Sequence, residues 1–208
     1  MFRLESPIET ERLSLRAFRP GDVDAVHDTR SRPDVVRYLY DEVQTREQVE
    51  QTITQRLAQT SLERDGDVLA LAAERREDAR LIGDLTLVLR SAHHRQAEIG
   101  FVFHPDAQGK GYAREGASAL LDLAFGPLGA HRVYARTDAA NDASAGLLRR
   151  LGMRKEAHFR HNEIFKGAWG DELHFAILEH EWKRGAADAD SSGGHEHSPR
   201  SVPEPSED

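Results

Sequence analysis

The stretch IGFVFHPDAQGKGYAREGASALLDLAF, from Ile99 to Phe125, constrains the fold more than any other part of the chain. An apolar run ends at Phe103, the residues His104-Pro105-Asp106 break it, and two glycines precede a segment with helical spacing of apolar residues. Glycines at the start of a helix let the backbone approach a ligand, and the unpaired amides of the first turn favour an anion. We therefore predict a strand, a phosphate-binding loop at Gln108 to Arg114, and a helix.

Two common phosphate-binding loops do not fit this turn. A Walker A loop requires Lys followed by Ser or Thr after its last glycine, and Gly109-Lys110-Gly111 has neither that hydroxyl nor the spacing. A dinucleotide-binding fingerprint requires a third Gly, or Ala, at the position of Arg114. The strands before the loop also read as an antiparallel meander rather than as the start of a βαβ unit.

Composition limits the class of protein. The 208 residues are 38% hydrophobic, which predicts one globular domain, at residues 1–184. A net charge of -8 disfavours a nucleic-acid partner, and the absence of Cys excludes a thiol nucleophile and disulfides. The longest apolar run, Val68 to Ala73, is far shorter than the roughly 20 residues that cross a bilayer. We therefore expect a cytoplasmic protein that does not bind membranes.

Residues 185–208 differ in composition from the rest of the chain. They contain no Leu, Ile, Met or aromatic residue, and six acidic residues oppose Arg200 alone. Such a segment buries too little apolar surface to fold, so we expect an acidic, disordered tail. His195 and His197 in this tail make an incomplete metal site, and we expect no metal.

The hydrophobic pattern predicts a mixed α/β (α+β) domain with a mostly antiparallel sheet. The predicted strands are Arg12 to Arg19, Val68 to Glu74, Arg80 to Leu89, Ala97 to Phe103, Arg132 to Arg136, Phe159 to Phe165 and Leu173 to Leu178. The predicted helices are Asp22 to about Ser31, capped by Asp22, a segment opened by Thr45, Gly111 to about Phe125, and Asn141 to Leu151.

The glycine loop resembles the acyl-CoA pyrophosphate loop of the GNAT superfamily of N-acyltransferases. Its pattern, Gln/Arg-x-x-Gly-x-Gly/Ala, is met by Gln108, Gly111 and Ala113. Downstream, Asn141 opens a helix that closes in Leu151-Gly152-Met153, which resembles the second conserved element of that family.

Two further stretches resemble the RimJ/RimL-like branch of the superfamily: TERLSLR at Thr10 to Arg16, and RHNEIFKGAWGDELHFAILEHEW at 160–182. The likeness thus extends from Thr10 to Trp182. It implies a GNAT-like central, mostly antiparallel twisted sheet of about six to seven strands, flanked by helices and splayed at the acyl-CoA site. It also implies acetyl-CoA as the acyl donor.

The resemblance also implies a set of cofactor contacts. The backbone of the strand before the loop would hydrogen-bond the pantetheine arm and the acetyl oxygen, while its side chains pack in the core. Asn141 would contact the cofactor or serve only as a helix cap. Arg149 and Arg150 would either reach the 3′-phosphate or lie on a solvated face of the helix. The implied cofactor-binding residues are Phe101, Val102, Phe103, Gln108, Gly109, Lys110, Gly111, Tyr112, Ala113, Arg114, Asn141, Ser144 and Arg150.

Three residues are candidates for catalysis. Ser144 matches a RimL-like Ser proposed to protonate the leaving thiolate; the alternative is that it is only a small residue near the start of the helix. Glu163 aligns with the Glu assigned as base in such enzymes, and Glu98 lies on the central strand; an ion pair with Arg is the alternative role of both. The chain departs from other GNAT branches at Arg136, where many carry Glu, and at Leu148, where many carry a Tyr acid.

The acceptor is expected to lie between 29–44 and 164–171, where the candidate contacts, or core residues, are Tyr38, Tyr40, Phe165 and Trp169. Without Cys, transfer to a primary amine would proceed by direct attack in a ternary complex. A protein N-terminus and a small-molecule amine or antibiotic both remain open as acceptors. A non-catalytic acyl-CoA-binding sensor is the alternative from another class, and a homodimer is one option for the assembly.

Overall fold

A computed structural model of the chain describes residues 1–183, so the predicted tail at 185–208 lies outside the described residues. The strands are β1 (Phe2–Arg3), β2 (Ile8–Glu9), β3 (Leu13–Arg16), β4 (Ser61–Leu62), β5 (Val68–Arg75), β6 (Arg80–Ser91), β7 (Gln96–Phe103), β8 (Arg132–Asp138), β9 (Arg154–Phe165) and β10 (Ala168–Leu178). The helices are α1 (Val23–Arg30), α2 (Pro33–Val36), α3 (Arg46–Arg56), α4 (Tyr112–Phe125) and α5 (Asp142–Arg150).

One large sheet dominates the described chain. Its strand order is β2-β3-β5-β6-β7-β8-β10-β9, and every neighbouring pair is antiparallel except the parallel pair of β7 and β8. The predicted meander of β5, β6 and β7 and the mixed α/β class are confirmed. The eighth strand, beyond the six to seven expected, is the two-residue β2 at the edge.

Helices cover both faces of this sheet. On one face, α4 packs its buried leucines against side chains such as Leu13 and Leu85, and Gly116 lies directly over Leu85. On the other face, Val26 of α1 and Val49 of α3 form a smaller cluster with Ala70 and related residues of β5. Burial of these apolar faces is the main force that holds the layers together.

Two sequence predictions need correction. Asp22 precedes α1 but does not cap it, because its carboxylate pairs with buried Arg16 at 2.8 Å and accepts a hydrogen bond from the Arg19 amide. The late strands are longer than predicted, since β9 begins at Arg154. Most of β9 is exposed, so its polar first half carries no apolar alternation to reveal it.

Thr45 caps α3 as predicted, since its side chain accepts a hydrogen bond from the Gln48 amide. No helix within residues 1–183 is long and apolar enough to cross a membrane.

The pairing of β6 with β7 predicts a site that cannot accept a side chain. A Cβ at Gly83 would lie 2.6 Å from the carbonyl oxygen of Val102 and 2.6 Å from the ring of Phe103. Gly83→Ala should therefore lower the free energy of unfolding by about 1–3 kcal/mol in urea titrations. Gly21→Ala is the control, because a Cβ there meets no atom within 4 Å. Equal stability of the two variants would contradict the prediction.

Candidate active site

The parallel strands β7 and β8 diverge soon after they meet. They pair only through Gln96 with Arg132, Ala97 with Val133, and Glu98 with Tyr134. Beyond this point β7 stays bonded to β6, and β8 stays bonded to β10. The facing edges at 99–103 and 135–138 thus have no strand partner within the described chain, which leaves backbone groups for a ligand. We call this divergence the fork; it confirms the predicted splay.

Two cavities meet at the fork. A larger cavity of about 740 Å³ lies beside α4 and α5, and a smaller one of about 280 Å³ lies towards β9 and β10. The residues that line both are Tyr38, Leu39, Phe101, Val102, Asn141 and Ser144. The two cavities therefore form one cleft, which runs through the gap between β7 and β8.

The glycine loop forms one wall of the larger cavity. Gly109 (φ 71°) and Gly111 (φ 86°) are in the left-handed region that favours glycine, and α4 begins directly after Gly111. No side chain caps this helix, so the amides of its first turn are not satisfied by a capping group. The loop thus presents main-chain donors at the positive end of a helix.

Most of the predicted cofactor contacts lie around this cavity. Its walls include Phe101, Val102, Phe103, Gln108, Gly109, Gly111, Ala113, Arg114, Asn141, Ser144 and Arg150. Lys110 and Tyr112 are not among its lining residues. The Tyr112 ring is buried beneath the Arg12 guanidinium, 4.6 Å from the ring centroid, so its side chain belongs to the core.

Arg12 braces the loop. Its guanidinium donates to the Lys110 carbonyl at 2.9 Å and to Glu115 at 2.7 Å. Thr10 also donates to Glu115, at 2.6 Å. Partial burial opposes ionisation of Glu115, but the hydrogen bonds from Thr10 and Arg12 hold the pKa of Glu115 below its ordinary value. The TERLSLR segment therefore holds the glycine loop and the first turn of α4 in place through Thr10 and Arg12.

Asn141 caps α5, because its side chain accepts a hydrogen bond from the Ser144 amide at 3.1 Å. Both residues also line both cavities, so the capping role does not remove them from the cleft. The two arginines at the end of α5 lie in different environments. Arg150 lines the larger cavity, whereas the Arg149 guanidinium lies 5.4 Å from the Phe175 ring centroid.

The two candidate bases have different environments. Glu163 lines the smaller cavity and contacts the Tyr40 hydroxyl. Glu98 lines neither cavity, and its oxygens pair with Arg90 at 2.6 Å and Arg136 at 3.0 Å. The structure therefore does not bring Glu98 into the cleft, and the ion-pair role considered for it is the one observed.

Sequence reasoning missed Glu172, which lines the smaller cavity and is only 6% exposed. It lies 3.1 Å from the Tyr40 hydroxyl, 2.6 Å from His174 and 3.5 Å from Arg136. The sequence pattern predicts a last strand that begins near Leu173, one residue after Glu172. The alternation of Glu172 and His174 with the apolar Leu173 and Phe175 is the available indication of a longer strand.

A buried ion cluster that sequence reasoning also missed lies on the opposite wall of the smaller cavity. Asp84 of β6 pairs with Arg30 at 2.9 Å and with Arg56 at 3.1 Å. Burial alone would raise the pKa of Asp84, but the two guanidinium groups outweigh it and hold that pKa below its ordinary value. The residues come from α1, α3 and β6, so no pattern within a short stretch of sequence predicts the cluster.

Three of the four predicted acceptor contacts line the smaller cavity: Tyr38, Tyr40 and Phe165. Trp169 does not, and it is 61% exposed. The Tyr40 and Phe165 rings meet edge to face at 5.6 Å, and Lys166 donates to the Val36 carbonyl at 2.8 Å. The segment after α2 thus lines the cavity, and Tyr40 and the last residue of α2 contact the β9–β10 hairpin.

Comparison with known proteins identifies the family. Residues 12–154 match the family model described as "Acetyltransferase (GNAT) domain". The chain belongs to the GNAT acetyltransferase family. It is therefore an N-acetyltransferase, and enzymes of this family use acetyl-CoA.

Individual relatives agree with this assignment. The chain is 33% identical over 175 residues to an uncharacterized N-acetyltransferase, YnaD, of Bacillus subtilis, covering 84% of this chain and 98% of the relative. A crystal structure of a GNAT-family acetyltransferase from Bacillus anthracis matches with a TM-score of 0.75 and 30% identity, covering 84% of this chain and 99% of that one.

Relatives with a named acceptor are more distant. Spermidine N(1)-acetyltransferase of Vibrio cholerae is 27% identical over 173 residues, covering 80% of this chain and 93% of the relative. A crystal structure of spermidine N-acetyltransferase from the same organism, in complex with CoA and spermine, has the same fold (TM-score 0.71, 23% identity), covering 84% and 99% of the two chains.

The Asp84 cluster generates a stability prediction. Asp84→Asn leaves two buried guanidinium groups without their carboxylate and should cost about 3–5 kcal/mol of unfolding free energy at pH 7. Because the folded pKa of Asp84 is lowered, its contribution is complete above the unfolded value of about 4 and is lost as the pH falls below it. The difference between wild type and Asp84→Asn in urea titrations should therefore shrink from pH 5 to pH 3.

Asp24→Asn is the matched control, since Asp24 pairs with Arg46 on the surface and its side chain is 80% exposed. It should cost less than about 1 kcal/mol. A cost for Asp84→Asn as small as this would show that the buried cluster does not stabilise the fold.

Proposed function

We propose that this N-acetyltransferase binds acetyl-CoA in the larger cavity and transfers the acetyl group, by direct attack in a ternary complex, to a primary amine held in the smaller cavity. The observation that carries the proposal is the fork. It joins a wall of main-chain amides and arginines to a wall of carboxylates through one continuous cleft. The chain has no Cys to form an acyl-enzyme.

The residues around the larger cavity suit acetyl-CoA. A Cβ at Gly109 would enter open space at the cavity wall, where a diphosphate would contact the loop amides. Arg114 and Arg150 add positive charge at the same wall, and either suits a phosphate group. When bound, acetyl-CoA supplies an activated thioester carbonyl.

The chain's own groups then have separate tasks. The free backbone edge at Phe101, Val102 and Phe103 would orient the pantetheine arm and the acetyl oxygen. The Ser144 hydroxyl, which lines both cavities, would donate a proton to the leaving thiolate directly or through water. Glu163 would accept the proton of the acceptor amine, since it is the candidate base that lines the cleft.

The charges of the smaller cavity favour a cationic acceptor. Three arginines and six carboxylates line it, and two of the arginines are already paired with Asp84. The six carboxylates are Asp41, Asp84, Asp138, Glu163, Asp171 and Glu172. At pH 7 an α-amino group loses its proton at a cost of about 1.4 kcal/mol, but a lysine-like amine costs about 4.6 kcal/mol. A carboxylate base at the site is therefore of most use to a strongly basic amine.

Within this function we propose two acceptor classes. Membership of the RimJ/RimL-like branch, supported by Thr10 to Arg16 and by the 160–182 segment, favours a protein N-terminal amine in a cytoplasmic protein. The acidic cavity and the relation to spermidine acetyltransferases support a small polyamine. A homodimer remains our proposal for the assembly, and a sensor that binds acyl-CoA without turnover is the rival function.

An acceptor panel distinguishes these functions. Thiol release from acetyl-CoA should be measured with N-terminal peptides, polyamines and aminoglycosides. We expect turnover with at least one cationic amine and a higher kcat/KM for acceptors with more positive charge. CoA binding without thiol release in every arm would support the sensor and contradict the enzyme.

A loop variant tests where the cofactor binds. Gly109→Asp would place a carboxylate against the diphosphate and should weaken acetyl-CoA binding at least about tenfold in calorimetric titrations. Gly129→Asp is the matched control, because Gly129 has a similar φ (69° against 71°) and equally open space, but lies beyond the other end of α4. Equal affinities of the two variants for acetyl-CoA would show that the diphosphate does not bind at the glycine loop.

A further inference from the structure

The Tyr40 hydroxyl lies between two carboxyl groups in the smaller cavity. It contacts Glu163 of β9 and lies 3.1 Å from Oε2 of Glu172 on β10. The residues come from three separate segments of the chain. The fold therefore assembles this arrangement across the cavity in which we place the acceptor.

The number of protons limits what this arrangement can do. A tyrosine hydroxyl has one proton to donate, and an ionised carboxylate can only accept. When Tyr40 donates to one carboxylate, its contact with the other is favourable only if that second carboxyl group is protonated and donates to the phenol oxygen. The group of three is therefore built to take up one additional proton and to pass it along.

The surroundings give the transfer a direction. Glu172 lies 2.6 Å from His174 and 3.5 Å from Arg136, so the His174 imidazole is the next proton acceptor beyond Glu172. Glu163 lines the smaller cavity and has no ion-pair partner within residues 1–183, so its carboxylate is available to an acceptor amine. Partial burial, then the neighbouring Glu163 and Glu172, raise the pKa of Tyr40, which keeps its hydroxyl protonated at neutral pH.

Other charged groups near Glu163, Tyr40 and Glu172 already have partners of their own. Glu98 of β7 binds Arg136 from the far side, and Asp171 of β10 binds His158 of β9 at 2.9 Å. The amide of Asn162 lies 3.5 Å from Glu172. None of these contacts adds a further member to the group of Glu163, Tyr40 and Glu172.

His174 connects Glu172 with solvent. Its ring is parallel to that of Tyr134, with centroids 6.4 Å apart, and meets Phe159 edge to face at 4.8 Å. The side chain is 30% exposed, whereas the Glu172 side chain is 8% exposed. The aromatic neighbours thus hold an imidazole with one nitrogen at the buried carboxylate and part of its ring in water.

We propose that Glu163, Tyr40, Glu172 and His174 form a proton relay that carries a proton from the acceptor amine out of the cleft. The inference rests on the proposed function. In each turnover the C–N bond forms, the C–S bond breaks, and an ammonium acceptor loses two protons. The thiolate takes up one, so one proton must leave the site.

An acceptor in the smaller cavity would separate Glu163 from solvent. A proton on Glu163 would then leave through Tyr40, Glu172 and His174. Glu163 takes the proton and donates to the Tyr40 oxygen, while Tyr40 donates its own proton to Glu172. His174 accepts that proton at Nε2 and releases one from its other nitrogen to water. In this scheme Glu163 is the catalytic base, and Tyr40, Glu172 and His174 act through it.

Chemical rescue tests the relay. In weakly buffered solution His174→Gln should lower kcat at least about tenfold with KM for acetyl-CoA unchanged, and added imidazole should restore most of the rate, since it replaces the lost proton carrier. His158→Gln, on the neighbouring strand, is the matched control and should keep the wild-type rate with or without imidazole.

Two further variants test the inner steps. Tyr40→Phe keeps the ring but removes the relaying hydroxyl, so it should lower kcat about tenfold or more without rescue by imidazole. Glu172→Gln should be most impaired at low pH and should approach the wild-type rate as the pH nears the pKa of the amine, because the acceptor is then already neutral. Glu156→Gln is its control; Glu156 pairs with Arg132 and Arg154 outside the cavity.

The outcomes separate the relay from the proposed function. Active wild-type enzyme with a His174→Gln rate that is undiminished, or diminished but insensitive to imidazole, would overturn the relay alone. Wild-type enzyme that releases no thiol with any amine would overturn the proposed function and the relay together.

Discussion

The cleft depends on the separation of β7 from β8. Parallel neighbours in a sheet would normally continue to pair, and each unpaired backbone group that is shielded from water costs free energy. Here β7 stays bonded to β6 and β8 to β10, so each strand is held on its outer side. Glu98 lies at the point where they part and binds Arg90 of β6 and Arg136 of β8. These two ion pairs connect Glu98 of β7 to the strands on both of its sides.

The fork separates groups of opposite charge. The larger cavity has loop amides, Arg114 and Arg150 on its walls, whereas carboxylates predominate in the smaller one. An anionic donor and a cationic acceptor would therefore approach from different sides and meet at the gap. The overall charge of -8 gives no indication of this local division, because it sums over the whole chain.

Local patterns predicted the parts of the fold that local forces determine. The glycine loop, α4, the Thr45 cap and the β5–β6–β7 meander follow from glycine conformation, capping and hydrophobic periodicity, which act over a few residues. The sequence did not predict the groups that form only when residues distant in sequence meet in the folded chain. Asp84 meets its arginines only when α1 and α3 pack on β6, and Glu172 becomes part of the site only because β10 begins earlier than its apolar residues suggest.

The most direct test is a crystal structure of the protein with CoA. We predict that the diphosphate accepts hydrogen bonds from the amides of residues 109–114. We also predict that the pantetheine arm runs along the free edge of β7, so that the sulfur lies at the fork near Ser144. CoA bound away from the glycine loop, or a pantetheine arm that does not enter the gap between β7 and β8, would contradict these predictions.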